Sequence, residues 1–295
     1  MSSKAKKTIL IAVAAVCILV CIGSGLFLYQ YYHGVQVEST LLERMKTGTA
    51  EISSAPASSV QPEHGSDETP EEAEAGAVPS TEEPLLKTVR LPVDFAQLQA
   101  EAPDIYAWLE LPGTGIDDPV LQREGADLFY NSHNAYGQYY MCGAVFSQSA
   151  YNGRDFDSPM TVLYGHSTVL GQPGAFMELN NYADEAYFDA HREIRVYMPD
   201  GMYVYRIFAA CVHSNEHLLY CHDFSDEAQF TAFFSSLTED TSPDSHIDAE
   251  SLPQAGDKVL TLSTCYSANK NQRYLVMGVL EEFVPTAEAA GREAA

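Results

Sequence analysis

The segment Thr261-Leu-Ser-Thr-Cys265 ends an apolar run with a cysteine, and Arg273 opens a second apolar run eight residues later. The first run, from Lys258 to Leu262, is typical of a buried strand, which puts the cysteine at a strand end. A thiol in that position with a fixed cation nearby suggests covalent catalysis. Cys265 is therefore the candidate nucleophile.

A second strand lies upstream and leads into a histidine. Met160-Thr-Val-Leu-Tyr164 has the pattern of a buried strand, and Gly165 connects it directly to His166. A free cysteine has a pKa of about 8.5 and is only partly thiolate near neutral pH. A neighbouring imidazole and a cationic setting both favour the reactive form. The sequence supplies both kinds of group.

Together with further motifs, these residues resemble the sortases, membrane-anchored cysteine transpeptidases of Gram-positive bacteria, and most closely class B. The matches run in family order from about Val93 to Leu280. They comprise the Cys265 segment with Arg273, Leu163-Tyr-Gly-His166, the long stretch from Pro103 to Gln122, Phe176 with Leu179 and Tyr182, and Phe188 with His191. No single motif would identify the family, but their order makes coincidence very improbable.

The resemblance implies a mainly β domain with helices. Its core would be a sortase-type closed β-barrel of about eight strands, with N-terminal helices and an inserted helix between strands six and seven. Two helices fit this plan in the sequence: Asp94 to Ala102, with Asp94 as cap, and Ser225 to Leu237, with Ser225 as cap. The second lies where the class B insertion belongs. Strands are predicted at Arg195–Met198, Met202–Ala210, Val259–Ser263 and Tyr274–Phe283.

The resemblance also implies a mechanism and partners. Cys265 would attack the carbonyl of a Thr in a surface protein's C-terminal sorting signal and form a thioester. His166 would protonate the leaving amine and later deprotonate the incoming one, while Arg273 would hold the substrate and stabilise the oxyanion. An amine of peptidoglycan or of a pilin would resolve the thioester. Ser263 and Thr264 are candidate substrate contacts, and the mechanism needs no cofactor.

The N-terminal region predicts a membrane anchor. Residues 8–28 contain no charged side chain and could cross the hydrocarbon core as one helix. Lysines lie within residues 1–7, so the positive-inside rule predicts a cytoplasmic N-terminus and an extracellular catalytic domain at the cell membrane. A cleaved signal peptide is the alternative, with Gly23 to Gly25 as the nearest candidate cleavage region.

Composition divides the rest of the chain. Residues 29–84 form a juxtamembrane neck followed by a stalk rich in Ser, Pro, Ala, Thr and Glu, which predicts an acidic disordered segment. The catalytic domain is expected at 85–284, and the short Ala-rich tail at 285–295 is expected to be disordered. The formal net charge of −25 makes an electrostatic nucleic-acid binder improbable, because no basic stripe could neutralise phosphates.

Several residues have competing interpretations. The spacing of Cys211, His213, His217, Cys221 and His222 allows zinc in principle, but it lacks the standard Cys-x2-Cys pair, and the family predicts no metal. A Cys211 to Cys221 disulfide competes with that reading, and Cys142 and Cys211 are expected to be small buried side chains.

His133 and His191 fall where the family often has a histidine without a chemical role, so both are expected to be structural.

Two other functions remain open. One is a membrane-tethered cysteine hydrolase, in which water resolves the thioester. The other is a non-catalytic surface-display module on an acidic stalk, which would not need Cys265, His166 and Arg273 together. The sequence does not reveal the signal: class B enzymes often use Asn-Pro-x-Thr-type signals, and some use Pro-x-Thr-Gly types.

Overall fold

The computed structural model describes residues 12–25, 28–29, 40, 42–46 and 87–293. Its strands in chain order are β1 Ile105–Glu110, β2 Asp117–Leu121, β3 Val145–Phe146, β4 Met160–Tyr164, β5 Thr168–Val169, β6 Gln172–Pro173, β7 Glu193–Met198, β8 Gly201–His213, β9 His246–Ile247, β10 Val259–Cys265 and β11 Arg273–Pro285. Its helices are α1 Phe95–Glu101, α2 Glu185–Ala190, α3 Leu218–Cys221, α4 Glu227–Ser236 and α5 Ala287–Glu293.

Eight of the strands close into a barrel, which confirms the predicted fold class. They are hydrogen-bonded in the order β11, β10, β4, β3, β2, β1, β7, β8, and β8 pairs in turn with β11. The β10–β4 and β2–β3 pairs are parallel, and the other pairs are antiparallel. β9 extends the sheet along β8 outside the ring. Closure leaves neither β8 nor β11 as a long open edge.

The predicted strands are present, and several are longer than predicted. β10 continues past Ser263 to Cys265, and β11 begins at Arg273 rather than Tyr274. The difference arises because cross-strand hydrogen bonds keep polar residues in a ladder after the apolar pattern stops. Cys265 and Arg273 therefore both lie inside strands.

The helix between the sixth and seventh barrel strands is present, but its predicted start is wrong. It runs over Glu227–Ser236, and its cap is Asp226, whose carboxylate accepts from the backbone N–H groups of Ala228 and Gln229 at 2.9 and 3.0 Å. Ser225 instead donates to Asp223. At the first helix, Asp94 caps as predicted and accepts from the backbone N–H of Gln97 at 3.0 Å.

The core has three parts, one inside the barrel and two outside it. Interior side chains such as Leu109, Ile207 and Val276 are fully buried. A second group lies between the barrel and α4, where Phe230 and Phe234 are buried. A third lies under α1 and surrounds Trp108, Phe95, Leu121 and Tyr197.

Part of the predicted neck packs on the barrel domain. Residues 42–46 are helical, Met45 is 5% exposed within the core under α1, and Lys46 pairs with Asp117 at 2.8 Å. Composition assigned residues 29–84 to a neck and a stalk and did not predict this packing. The reason is that Met45 provides an apolar contact inside an otherwise polar segment. Most of the predicted stalk lies outside the described residues.

The predicted membrane anchor, 8–28, is described only in part. Residues 12–25 are helical. Within the described portion, no helix combines the length and apolarity needed to cross a bilayer.

The predicted disordered tail is another difference, since residues 287–293 form α5. Thr286 caps this helix through its hydroxyl, which accepts from the backbone N–H of Ala289, and Glu288 pairs with Arg292 one turn on. Alanine-rich sequence has high helix propensity, and the prediction of disorder did not take this propensity into account.

Candidate active site

Cys265 and Arg273 form the last cross-strand pair of β10 and β11. This pairing places the guanidinium beside the thiol, and Nη1 of Arg273 lies 3.8 Å from Sγ of Cys265. The same Nη1 donates to the carbonyl of Gln272 at 3.3 Å, which orients the planar group. On the other side of β11, Arg273 pairs with His213 of β8. Arg273 therefore lies on the central strand of three, between Cys265 and His213.

His166 reaches the same edge because β4 runs parallel to β10. Their register ends at Tyr164 and Ser263, and the N–H of Gly165 continues it by donating to the carbonyl of Ser263 at 3.2 Å. The Nε2 of His166 lies 2.9 Å from the carbonyl of Asn131. Because a carbonyl can only accept, Nε2 carries a proton in this geometry, and Nδ1 is the nitrogen left to exchange one.

All three residues line one cavity of about 260 Å³ at the ends of β4, β10 and β11. Its walls also include Leu128 and Asn131 from one side. Among the described residues, no hydrogen bond joins Cys265 to His166. The cavity thus brings Cys265, His166 and Arg273 together, and within the described residues the hydrogen-bond contact is between the thiol and the guanidinium.

The two predicted substrate contacts also line this cavity, but their side chains are largely buried. Thr264 is 2% exposed, and its hydroxyl donates to the carbonyl of Gly165 at 2.8 Å. Ser263 is 6% exposed. The Thr264 contact links the strand of the thiol to the residue before the histidine, a role that the sequence did not suggest.

The loop after β8 also lines the cavity, although no catalytic role was predicted for it from the sequence. His217 reaches across to Gln148, with 2.6 Å between Nε2 and Oε1. Glu216 lies between two imidazoles, 3.8 Å from His213 and 3.2 Å from His222. The concentration of histidines in this loop was the available signal, and the segment was weighed for zinc binding and for a disulfide between Cys211 and Cys221.

These histidines and cysteines are not arranged as a metal site. Within the described residues, no group of three or more His, Cys, Asp or Glu side chains could hold a metal ion. Cys211 is fully buried and Cys221 is exposed, and both are free thiols, so the alternative disulfide is not formed. Burial raises the pKa of Cys211 to about 12, and nearby Asp240 adds to the rise, which makes this thiol a poor nucleophile.

The two histidines expected to be structural lie outside the cavity lining. His133 stacks on Phe129 with 3.9 Å between ring centres, and its Nδ1 lies 2.8 Å from the carbonyl of that residue. His191 contacts the carbonyl of Tyr187 at 3.0 Å. Each histidine therefore contacts the residue four positions before it in the chain.

Comparison with known proteins agrees with this geometry. The family model for the sortase domain matches residues 109–281. Sortase B of Listeria monocytogenes is 25% identical over 172 residues, which cover 58% of this chain and 67% of the relative. Sortase B of Staphylococcus aureus is 25% identical over 174 residues, which cover 59% and 68%.

Solved structures extend the likeness to the fold. A Streptococcus pyogenes class B sortase involved in pilus biogenesis aligns with a TM-score of 0.53 at 26% identity, covering 64% of this chain and 98% of that one. A Bacillus anthracis protein described as similar to sortase B aligns with a TM-score of 0.54 at 26% identity, covering 65% and 82%. The family match spans more than half of the chain and includes Cys265, His166 and Arg273. The chain therefore belongs to the sortase family of cysteine transpeptidases and resembles its class B members.

Proposed function

We propose that this protein is a membrane-anchored transpeptidase that cleaves a C-terminal sorting signal after Thr and joins the released protein to a cell-wall amine. The observation that carries the proposal is the position of the Arg273 guanidinium, 3.8 Å from the Cys265 thiol in a cavity that His166 also lines. This geometry puts a fixed cation beside the sulfur that would attack the substrate.

In the first half-reaction, Sγ of Cys265 bonds to the carbonyl carbon of the signal's Thr. The peptide C–N bond then breaks, and the leaving nitrogen takes a proton from His166. Among the described residues, Nε and Nη2 of Arg273 have no partner, so they are free to donate to the oxyanion that forms on the carbonyl. The product is a thioester on Cys265 and a free C-terminal remainder.

In the second half-reaction, an acceptor amine attacks the thioester and His166 takes up the proton that the amine loses. The new amide forms as the C–S bond breaks, which returns the thiolate. The acceptor would be an amine of peptidoglycan or of a pilin. If water replaced the amine, the same residues would produce a hydrolase.

The proposal includes a location. Residues 8–28 would anchor the protein in the cell membrane, with residues 1–7 in the cytoplasm and the catalytic domain outside the cell. The sequence between the anchor and the barrel would carry the domain to substrates that are themselves tethered at the surface. Support for this part comes from hydropathy and charge alone.

The test uses the full chain in detergent with quenched peptides that span Asn-Pro-x-Thr and Pro-x-Thr-Gly signals, with and without an amine acceptor. We expect cleavage after Thr and an amine-ligated product, both identified by mass spectrometry. Cys265→Ala should abolish both, because the thioester cannot form. Cys221→Ala, which removes an exposed thiol outside the cavity lining, is the matched control and should keep full activity.

The other outcomes separate the competing functions. Cleavage that yields only the free acid in the presence of amine would favour a hydrolase. Specific binding of surface partners that is indifferent to Cys265→Ala, without cleavage of any peptide, would favour a display module.

A further inference from the structure

The turn that follows Cys265 is held by a side chain from another part of the chain. Nδ2 of Asn180 donates to the carbonyl of Cys265 at 3.3 Å, and Oδ1 of Asn180 accepts from the N–H of Ser267 at 2.8 Å. One side chain thus binds the backbone at the nucleophile and two residues after it. Only one orientation of the amide satisfies both partners, because the carbonyl must accept and the N–H must donate.

Asn180 belongs to a rigid support. It lies in the 3₁₀ helix Met177–Ala183, which we call the bracing helix. Leu179 and Tyr182 of this helix are fully buried, and the Tyr182 hydroxyl donates to the carbonyl of His191 at 2.9 Å. The amide therefore projects from an element that is fixed in the barrel core.

The residues just before the bracing helix hold the main chain around His166. Phe176, which immediately precedes the bracing helix, donates its backbone N–H to the carbonyl of His166 at 3.0 Å. Gly174 donates its N–H to the carbonyl of Ser167 at 2.8 Å. The segment from Gly174 to Asn180 thus contacts the main chain of both His166 and Cys265.

This arrangement matters because Cys265 and His166 share no hydrogen bond in the part of the chain that the structure describes. Their separation must then be set through their backbones. The imidazole must exchange a proton with a substrate that is bonded to the sulfur, and the rate of that transfer depends on the distance between the two residues. Other contacts also hold these backbones: Cys265 pairs with Arg273 in the β10–β11 ladder, and the Thr264 hydroxyl donates to the carbonyl of Gly165 at 2.8 Å. Asn180 adds the contact that joins the Cys265 carbonyl to the segment that also binds the main chain of His166.

We propose that Asn180 is a positioning residue that fixes the main chain of Cys265 relative to His166. This inference rests on the proposed cysteine transpeptidase function. The backbone contacts at His166 and the side-chain contacts at Cys265 make the segment from Gly174 to Asn180 a common reference for the two catalytic groups.

The test compares Asn180→Ala, Asn180→Gln and Asn181→Ala in the full chain in detergent. Asn181 is the matched control, because it is the adjacent residue on the bracing helix and its side chain is exposed. In Asn180→Ala we expect kcat, normalised to titrated active sites, to fall by about 10-fold to 100-fold. We expect KM to stay within about 2-fold, since substrate binding groups are unchanged. Asn180→Gln, which keeps the amide, should recover part of the loss.

A purely structural role predicts a different pattern. Asn180→Ala would then lower Tm and the fraction of active protein, while kcat per active site would match that of Asn181→Ala, and this result would overturn the proposal.

A substrate-independent measurement separates this proposal from the proposed function. The rate of iodoacetamide labelling of Cys265, measured across pH by mass spectrometry of its peptide, reports the reactivity of the thiol in its surroundings. We expect the pH–rate profile of Asn180→Ala to differ from those of the unsubstituted protein and Asn181→Ala. If no peptide is cleaved by the unsubstituted protein, the proposed function fails while this profile still tests the positioning, and three identical profiles would refute it.

Discussion

Gly174 lies where any side chain would collide with His166. A β-carbon at this position would approach the backbone oxygen of His166 to 2.2 Å and its Cβ to 2.7 Å. Neither atom belongs to the flexible end of a side chain, so the clash could be relieved only by moving the loop that carries the imidazole.

Gly174→Ala should therefore lower peptide cleavage by about 10-fold or more, because His166 would be displaced from the cavity. The measurement is kcat per active site, with Tm recorded in parallel. Gly291→Ala is the control, since its β-carbon would meet nothing within 4 Å. Unchanged turnover in Gly174→Ala would show that the loop adapts without moving the imidazole.

At this scale, the sequence predicts the residues that follow strong local patterns. Cys265 and His166 each come at the end of an apolar strand, and Arg273 begins one, so periodicity and the family motifs find all three. Gly174 and Asn180 act through contacts with the backbone of distant residues. No local pattern encodes such contacts, because they depend on which loops the closed barrel brings together.

The inserted helix α4 shows where prediction of an element loses accuracy. Ser225 and Asp226 are adjacent, and both are good N-cap residues, so composition alone cannot choose between them. The structure uses Asp226, whose carboxylate accepts from two backbone N–H groups. Ser225 is drawn into a turn with Asp223 instead.

Asp226→Ala should destabilise the protein by about 1 kcal/mol through loss of the cap. Ser225→Ala should cost less, about 0.5 kcal/mol, because it removes one exposed hydrogen bond. Urea denaturation with matched m-values measures both changes. A larger loss in Ser225→Ala than in Asp226→Ala would reverse the assignment of the cap.

Whether a strand could be predicted from the sequence depends on its length. The long strands β8, β10 and β11 were predicted, because each carries enough residues for the apolar pattern to be recognised. The two-residue strands β3, β5, β6 and β9 were missed, since so short a segment has no period. They form where tertiary contacts bring backbone groups within reach, which hydropathy does not report.

At the scale of the whole molecule, closure of the barrel was predicted from family resemblance, whereas the docking of the neck was not. Charge and composition describe 29–84 correctly as mostly polar. They cannot reveal that Met45 packs under α1 with Phe95 and Leu98. That contact depends on a surface assembled from several separate segments.

Met45→Ala in the full chain should lower the free energy of unfolding by about 2 kcal/mol, because a buried side chain is truncated. Arg44→Ala is the neighbouring control, and its exposed pair with Glu101 should contribute less than about 0.5 kcal/mol. Chemical denaturation in detergent measures both. Equal effects would mean that the neck does not pack on the domain in solution.

The pairing of β10 on both sides has a mechanical consequence. Cys265 is the last residue of a strand that pairs with β11 along its whole length and with β4 from Val259 to Ser263. A surface protein held on the sulfur while still entangled in the cell envelope would pull along this strand. Such a load is shared by two rows of hydrogen bonds in shear and does not peel them apart one at a time. Cys265 thus lies at the end of a strand whose two neighbours would share such a tension.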